Sequence, residues 1–189
     1  MTFEFIDQTN SDGKLVPFEE ITPLFAGFER DAFRLETRRG YATDRAGARF
    51  QAFMRGIAPV PEPDHPWNVN VREKAARGAR FSRVRIIDEP PTDGQRFLMA
   101  TAVGNVSAGE DIRVLVRPEA ERVGLPDYDF WLFDSTTLVR MHIDDTDTTI
   151  GVEVITDPDT VLAACHAREA AQAAAVPTAG VWASVRCAK

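Results

Sequence analysis

Lysine is nearly missing from this chain. Lys14, Lys74 and Lys189 are the only three among 22 basic residues, so positive charge rests on arginine, whose planar fork suits ion pairs and carboxylate or phosphate recognition. Cysteine is as scarce. Cys165 and Cys187 form no C-x-x-C pair and have no histidines at zinc-finger spacing, so no structural metal site and no cofactor is read. Basic charge is in deficit overall, with a formal net charge of −7, which opposes general nucleic-acid binding, since that is driven by neutralising phosphates. No apolar run reaches membrane-spanning length. The segment Met1 to Asp7 places Glu4 and Asp7 where a signal peptide carries basic residues, so the expectation is a cytoplasmic protein with reduced thiols and no membrane contact.

Catalytic signatures are lacking as well. The stretch from Ala102 to Glu110 has neither the Lys-Ser/Thr ending of a phosphate loop nor G-x-G-x-x-G spacing, and no G-x-S-x-G elbow occurs. Asp144, Asp145, Asp147 and Glu153 gather acidic oxygens, but the glycine and distal glutamate of an EF-hand are misplaced, and a solvated hairpin accounts for them. Cys165 falls in the apolar body of a helix, where a thiol packs rather than reacts.

What is present is a soluble α/β pattern organised around Asp127-Tyr128-Asp129-Phe130-Trp131-Leu132-Phe133-Asp134. Four large apolar residues between carboxylates predict an inner strand buried on both faces. Asp134 either serves the turn that follows or lines a site at the strand's end. Residues 1–16 read as a loose lead-in, and Phe18, Phe25 and Phe28 as an aromatic face on short helical pieces around Pro23. The alternation Ala32-Phe33-Arg34-Leu35-Glu36-Thr37-Arg38 predicts a strand with Phe33 and Leu35 inward and Arg34, Glu36 and Arg38 outward. A helix capped by Thr43 follows, reaching Ile57. Four prolines between Pro59 and Pro66 read as a stiff connector.

After a short helix near Trp67, strand, helix and strand (81–87, about 93–108, 111–116) predict a parallel crossover. Residues 137–143 and 149–155 read as an antiparallel hairpin, and 157–175 as a helix ended by Pro177. Val181-Trp182 could dock beyond it. The fold expected is mixed α/β: a largely parallel sheet flanked by helices, with a C-terminal antiparallel hairpin and a final helix. Its divisions are an N-terminal helical and strand subdomain (1–58) packed on the core, the connector (59–66), the α/β core (67–177) and a tail (178–189).

Arg34, Glu36, Arg38, Arg39 and Tyr41 are the candidate site, with Trp67 and Asp134 as further candidates. Guanidinium forks on one strand face could meet a carboxylate or phosphate, or Glu36 could serve the arginines in an internal ion-pair ladder. The first reading makes a non-catalytic interaction module. Its alternative is an enzyme for a phosphorylated or acidic small molecule, with Arg34, Arg38 and Tyr41 binding and Glu36 as acid or base. A concave pocket at Glu36 and Tyr41, rather than a flat surface, would discriminate between them.

Four blocks carry a resemblance: Leu35 to Tyr41, Arg83 to Pro90, Ala108 to Arg113, and Asp129 to Asp134. In this order they resemble a family of uncharacterised actinobacterial proteins across nearly the whole chain. Members accompany helix-turn-helix regulators, so the resemblance implies an accessory or regulatory role with a protein partner. The C-terminal order more weakly resembles half of a phospholipase D-like fold. The H-x-K motif of that fold is missing: His142 is followed by Ile143 and Asp144, and no lysine lies between Lys74 and Lys189.

Overall fold

The computed structural model describes residues 14–178; most of the lead-in, the Val181-Trp182 pair and Cys187 lie outside them. A 3-10 turn at Phe18–Ile21 runs into helix α1 (Thr22–Gly27), with Pro23 in the first turn, where its missing N–H costs nothing. Strand β1 (Asp31–Glu36) follows, then the short helices α2 (Ala42–Ala46) and α3 (Ala48–Met54). The helix expected from 43 to 57 is thus broken: Gly47 adopts an extended ψ between the two pieces, and Tyr41 rather than Thr43 stands at the N-cap position without a side-chain cap. The proline-rich connector leads to α4 (Pro66–Ala76), and β2 (Arg80–Ile87), α5 (Asp93–Ala108) and β3 (Asp111–Val116) complete the alternating unit. A capping box of Thr92 and Gln95 starts α5, and Gly109 at φ 112° ends it, a conformation that favours glycine.

Helix α6 (Arg117–Arg122) then leads to β4 (Phe130–Phe133) and the hairpin of β5 (Thr137–Ile143) and β6 (Thr149–Ile155). Helix α7 (Pro158–Ala174) starts where the Asp157 carboxylate accepts from Thr160 N at 2.9 Å, and β7 (Val176–Pro177) follows it. Neither α6 nor β7 was expected. Among the described residues no helix is long and apolar enough to cross a membrane.

The strands form one sheet in the order β6-β5-β4-β1-β2-β3-β7. The class is mixed α/β, as expected, but the sheet is not largely parallel. Only β1 with β2 and β2 with β3 pair in parallel; β1 with β4, β4 with β5, β5 with β6 and β3 with β7 are antiparallel. The reason is α6, a short connection that returns the chain to the far side of β1 and reverses it. β1 also lies inside the sheet, so residues 31–36 belong to the core instead of a subdomain packed on it.

Both faces are covered. On one, Phe33, Leu35, Val84, Ile86, Phe130 and Leu132 pack beneath Val161, Ala164 and Ala171 of α7. On the other, Ala32, Phe81, Trp131 and Phe133 meet Ile21, Phe25, Phe28 and Val71. β4 is buried along its length, as its sequence predicts. Phe25 stands edge-on to Trp131 at 4.9 Å and to Phe133 at 5.1 Å, the arrangement aromatic quadrupoles favour. The aromatic face of Phe18, Phe25 and Phe28 therefore covers the sheet and is not a free docking surface.

Candidate functional site

The parallel register sets Arg34 beside Arg83 and Glu36 beside Arg85, so β1 and β2 present four charged side chains on one face. Glu36 lies at their centre. Its Oε1 accepts from Arg83 Nη1 at 2.6 Å, its Oε2 from Arg85 Nε at 2.5 Å, and Arg34 Nε stands 3.0 Å from Oε1. Arg34 extends the network toward β4, where Nη2 reaches Asp129 Oδ2 at 3.1 Å and Tyr41 Oη at 3.3 Å. Asp129 is filled by further donors: Tyr41 Oη, the Thr37 hydroxyl and the Thr37 backbone N–H. On the β3 side Arg83 pairs with Glu110 at 2.8 Å, and Glu110 also accepts from Trp67 Nε1 at 2.9 Å and Asn105 Nδ2 at 3.1 Å. Aromatic rings cover the arginines: Arg34 lies 5.2 Å and Arg83 5.6 Å from the Trp131 ring centre.

Arg34, Glu36, Arg85, Asp129 and Glu110 are all buried, Glu36 at 3% exposure. Such groups can stay charged only because each finds partners. Burial alone would raise the Glu36 pKa, but Arg83, Arg85 and Arg34 overcome it and hold the carboxyl far below the usual carboxylate range. Burial, with Glu36 and Asp129 nearby, pushes the Tyr41 hydroxyl well above its ordinary value. Neither group is poised to exchange a proton near neutral pH.

Above this network opens a cleft of about 700 Å³, whose lining includes Arg34, Glu36, Tyr41, Asp44, Arg83 and Met141. A smaller cleft of about 410 Å³ shares Thr43 and Asp44 with it and continues to Trp67, Asn68 and Phe97. Of the residues singled out by sequence, Arg34, Glu36 and Tyr41 are therefore brought together, but as the floor of a cleft. The expectation that Arg34 and Glu36 face outward is corrected: α4, α5 and the α2 segment cover the face that alternation marks as polar.

The remaining candidates serve the fold. Arg38 turns to the β5–β6 turn, pairing with Asp147 at 3.2 Å and donating to the carbonyls of Ile143 and Asp144. Arg39 is largely exposed and shares Asp88 with Arg117. Trp67 packs on Phe25, Phe81 and Trp131 while its N–H is held by Glu110. Asp134, at φ 50°, accepts from the backbone N–H groups of Glu29, Arg30 and Asp31 at 2.7–3.0 Å and so fixes the start of β1. That is a structural role toward the segment before β1, not toward the turn that follows β4. The acidic turn is also occupied: Asp144 accepts from Thr146 and Thr148, and Asp147 pairs with Arg38 and Arg45. Among the described residues no three His, Cys, Asp or Glu side chains gather as a metal site would need.

A family model described as a domain of unknown function, DUF6879, matches residues 19–183. The chain belongs to this family. A comparison with curated proteins returns no match. In this DUF6879 domain sequence reasoning missed Arg83, Arg85, Glu110, Asp129 and Asp44. A signal for the first two was available: they alternate with Val84 and Ile86 as Arg34 and Glu36 alternate with Phe33 and Leu35. Two neighbouring strands with that pattern bring four charges together on one face.

Proposed function

We propose that this chain is a non-catalytic regulatory or accessory binding protein of an actinobacterial-type cytoplasm, acting with a protein partner, and that a helix-turn-helix transcriptional regulator is the first partner to examine. The observation that carries the reading is Glu36, with both oxygens occupied by arginines at the floor of a 700 Å³ cleft. A saturated carboxylate locked in its charged form is suited to shaping a surface and ill suited to general acid or base work. The cleft's rim offers apolar side chains to a partner: Leu15 and Ile150 line it and are 44% and 61% exposed. Buried apolar anchors with a polar surround are how protein interfaces gain most of their affinity.

The enzyme reading draws support from the same concavity, since Glu36 and Tyr41 do line it. It loses Arg38, which points to the β5–β6 turn, and it loses a proton-transfer group at Glu36. The test is capture of partners from the native host with wild-type protein and with Ile150→Asp as baits. The binding reading expects a specific partner that the rim variant no longer retains although it stays folded. Equal capture by both baits, or turnover of a phosphorylated or acidic metabolite by the wild-type chain, would contradict it.

A further inference from the structure

The smaller cleft is lined by a carboxylate that no cation of the described residues pairs with directly. Three arginines, the buried Arg34 and Arg85 and the partly buried Arg83, are matched by the three carboxylates Glu36, Asp129 and Glu110. In the 410 Å³ cleft Arg49 and Glu62 also pair, at 3.0 Å. Asp44 is left over. Its carboxylate has no hydrogen bond or ion pair among the described residues; burial and Glu36 raise its pKa, and Arg85, Arg34 and Arg45 oppose them only through space, Arg45 being engaged by Asp147 and the carbonyl of Thr146.

A second acceptor in the same cleft is unpartnered. Asn68 is 5% exposed, and its Nδ2 donates to the Glu62 carbonyl at 2.8 Å, which fixes the orientation of the amide. Its Oδ1 has no donor among the described residues, although buried polar atoms in folded proteins are paired in the large majority of cases. Phe97 and Trp67 supply an apolar wall, and Pro61 and Gly104 line the cleft as well. A concave, partly aromatic site of this volume with a few convergent polar groups is the usual form of a small-molecule site. Here both unpaired groups are acceptors.

We propose that this cleft binds a small organic cation, an amine or amidinium carried on an apolar body, with its charge on Asp44. The ligand chemistry is the opposite of the acidic or phosphorylated one that the arginines invite on sequence, because those arginines are already neutralised. The inference stands apart from the protein-partner reading, which is tested at Ile150 in the other cleft.

Benzamidine is the probe, with phenyl phosphate and benzoate as anions on the same ring, each titrated calorimetrically into the full chain. Saturable benzamidine binding is expected, with affinity falling at least tenfold in Asp44→Asn and no binding by the anions. Asp44→Asn removes no internal partner, so its melting temperature should match that of wild type. Gly104→Leu adds bulk to the lining from a Cβ that meets Pro61 at an ordinary 3.6 Å and should abolish binding, with its melting temperature checking that it stays folded. The proposal is overturned if benzamidine does not bind, if Asp44→Asn and Gly104→Leu bind it like wild type, or if phenyl phosphate binds in its place. Partner capture that fails while benzamidine binds would sink the earlier reading alone.

Discussion

On β1, Phe33 and Leu35 enter the face beneath α7, while Arg34 and Glu36 enter the face beneath α4 and α5, and all four are buried. The first face is a hydrocarbon core; the second joins an aromatic cluster to charges that must be matched one by one. Alternation therefore reports that the two faces of a strand differ in chemistry, not that one of them meets water. The energetics differ accordingly. A hydrocarbon face loses stability in proportion to the atoms removed, whereas a buried ionic face loses it when one charge is left without partners.

Glu36→Gln should give the largest effect, because three arginines share that carboxylate; a loss of about 3–5 kcal/mol in urea unfolding is expected. A loss below about 1 kcal/mol would mean that the polar face is wet after all. On the hydrocarbon face Leu132→Ala should cost about 2–5 kcal/mol, with the spread set by how far the cavity closes. If Leu132→Ala were neutral, the burial of β4 would be in error.

Asp134→Ala sits at the strand end, outside both cores. It removes the acceptor for three backbone N–H groups, and about 1–3 kcal/mol should be lost, in line with the cost of unpaired donors. A smaller shift than that of a surface control would contradict its role as a staple. Acid should act in the same direction. Burial works to raise the Asp134 pKa, but the N–H donors of Glu29, Arg30 and Asp31 outweigh it and hold the carboxyl below its ordinary value, as the arginines do for Glu36. Stability from both groups is then present in full above the ordinary carboxylate range near pH 4 and is lost as pH falls through their depressed folded values. Acid titration of Glu36→Gln should show a shallower fall than wild type; parallel curves would contradict the linkage.

Much of the fold was legible because period and punctuation agreed. The β4 run, the β5–β6 hairpin around residues 144–147 and the Asp157-Pro158 start of α7 each carry local signals that tertiary context did not override. What stayed hidden was non-local. The six-residue α6 is too short to show a period, and it is this element that sends β4 to the far side of β1. The two-residue β7 has no sequence signature.

The site was half legible for the same reason. Arg34, Glu36 and Tyr41 stand out locally, but Arg83, Glu110 and Asp129 join them only through strand register, and the cover over that face comes from helices whose packing no single segment announces. The internal ladder was one of the two readings that the residues allow, and the burial and pairing of Arg34 and Glu36 support it. Trp67 and Asp134 proved to be held by Glu110 and by backbone donors, partners 43 and over 100 residues away in sequence that no local pattern connects to them.

The most direct test of an interior ionic face is a paired urea denaturation of Arg34→Met and Arg39→Met. Arg34 is 7% exposed and bound to Asp129 and Glu36, whereas the Arg39 side chain is 61% exposed and meets only Asp88 among the described carboxylates. Arg34→Met should lose about 3–5 kcal/mol, and Arg39→Met no more than about 1 kcal/mol. Two small and equal losses would contradict the account, since Arg34 would then be an ordinary surface arginine.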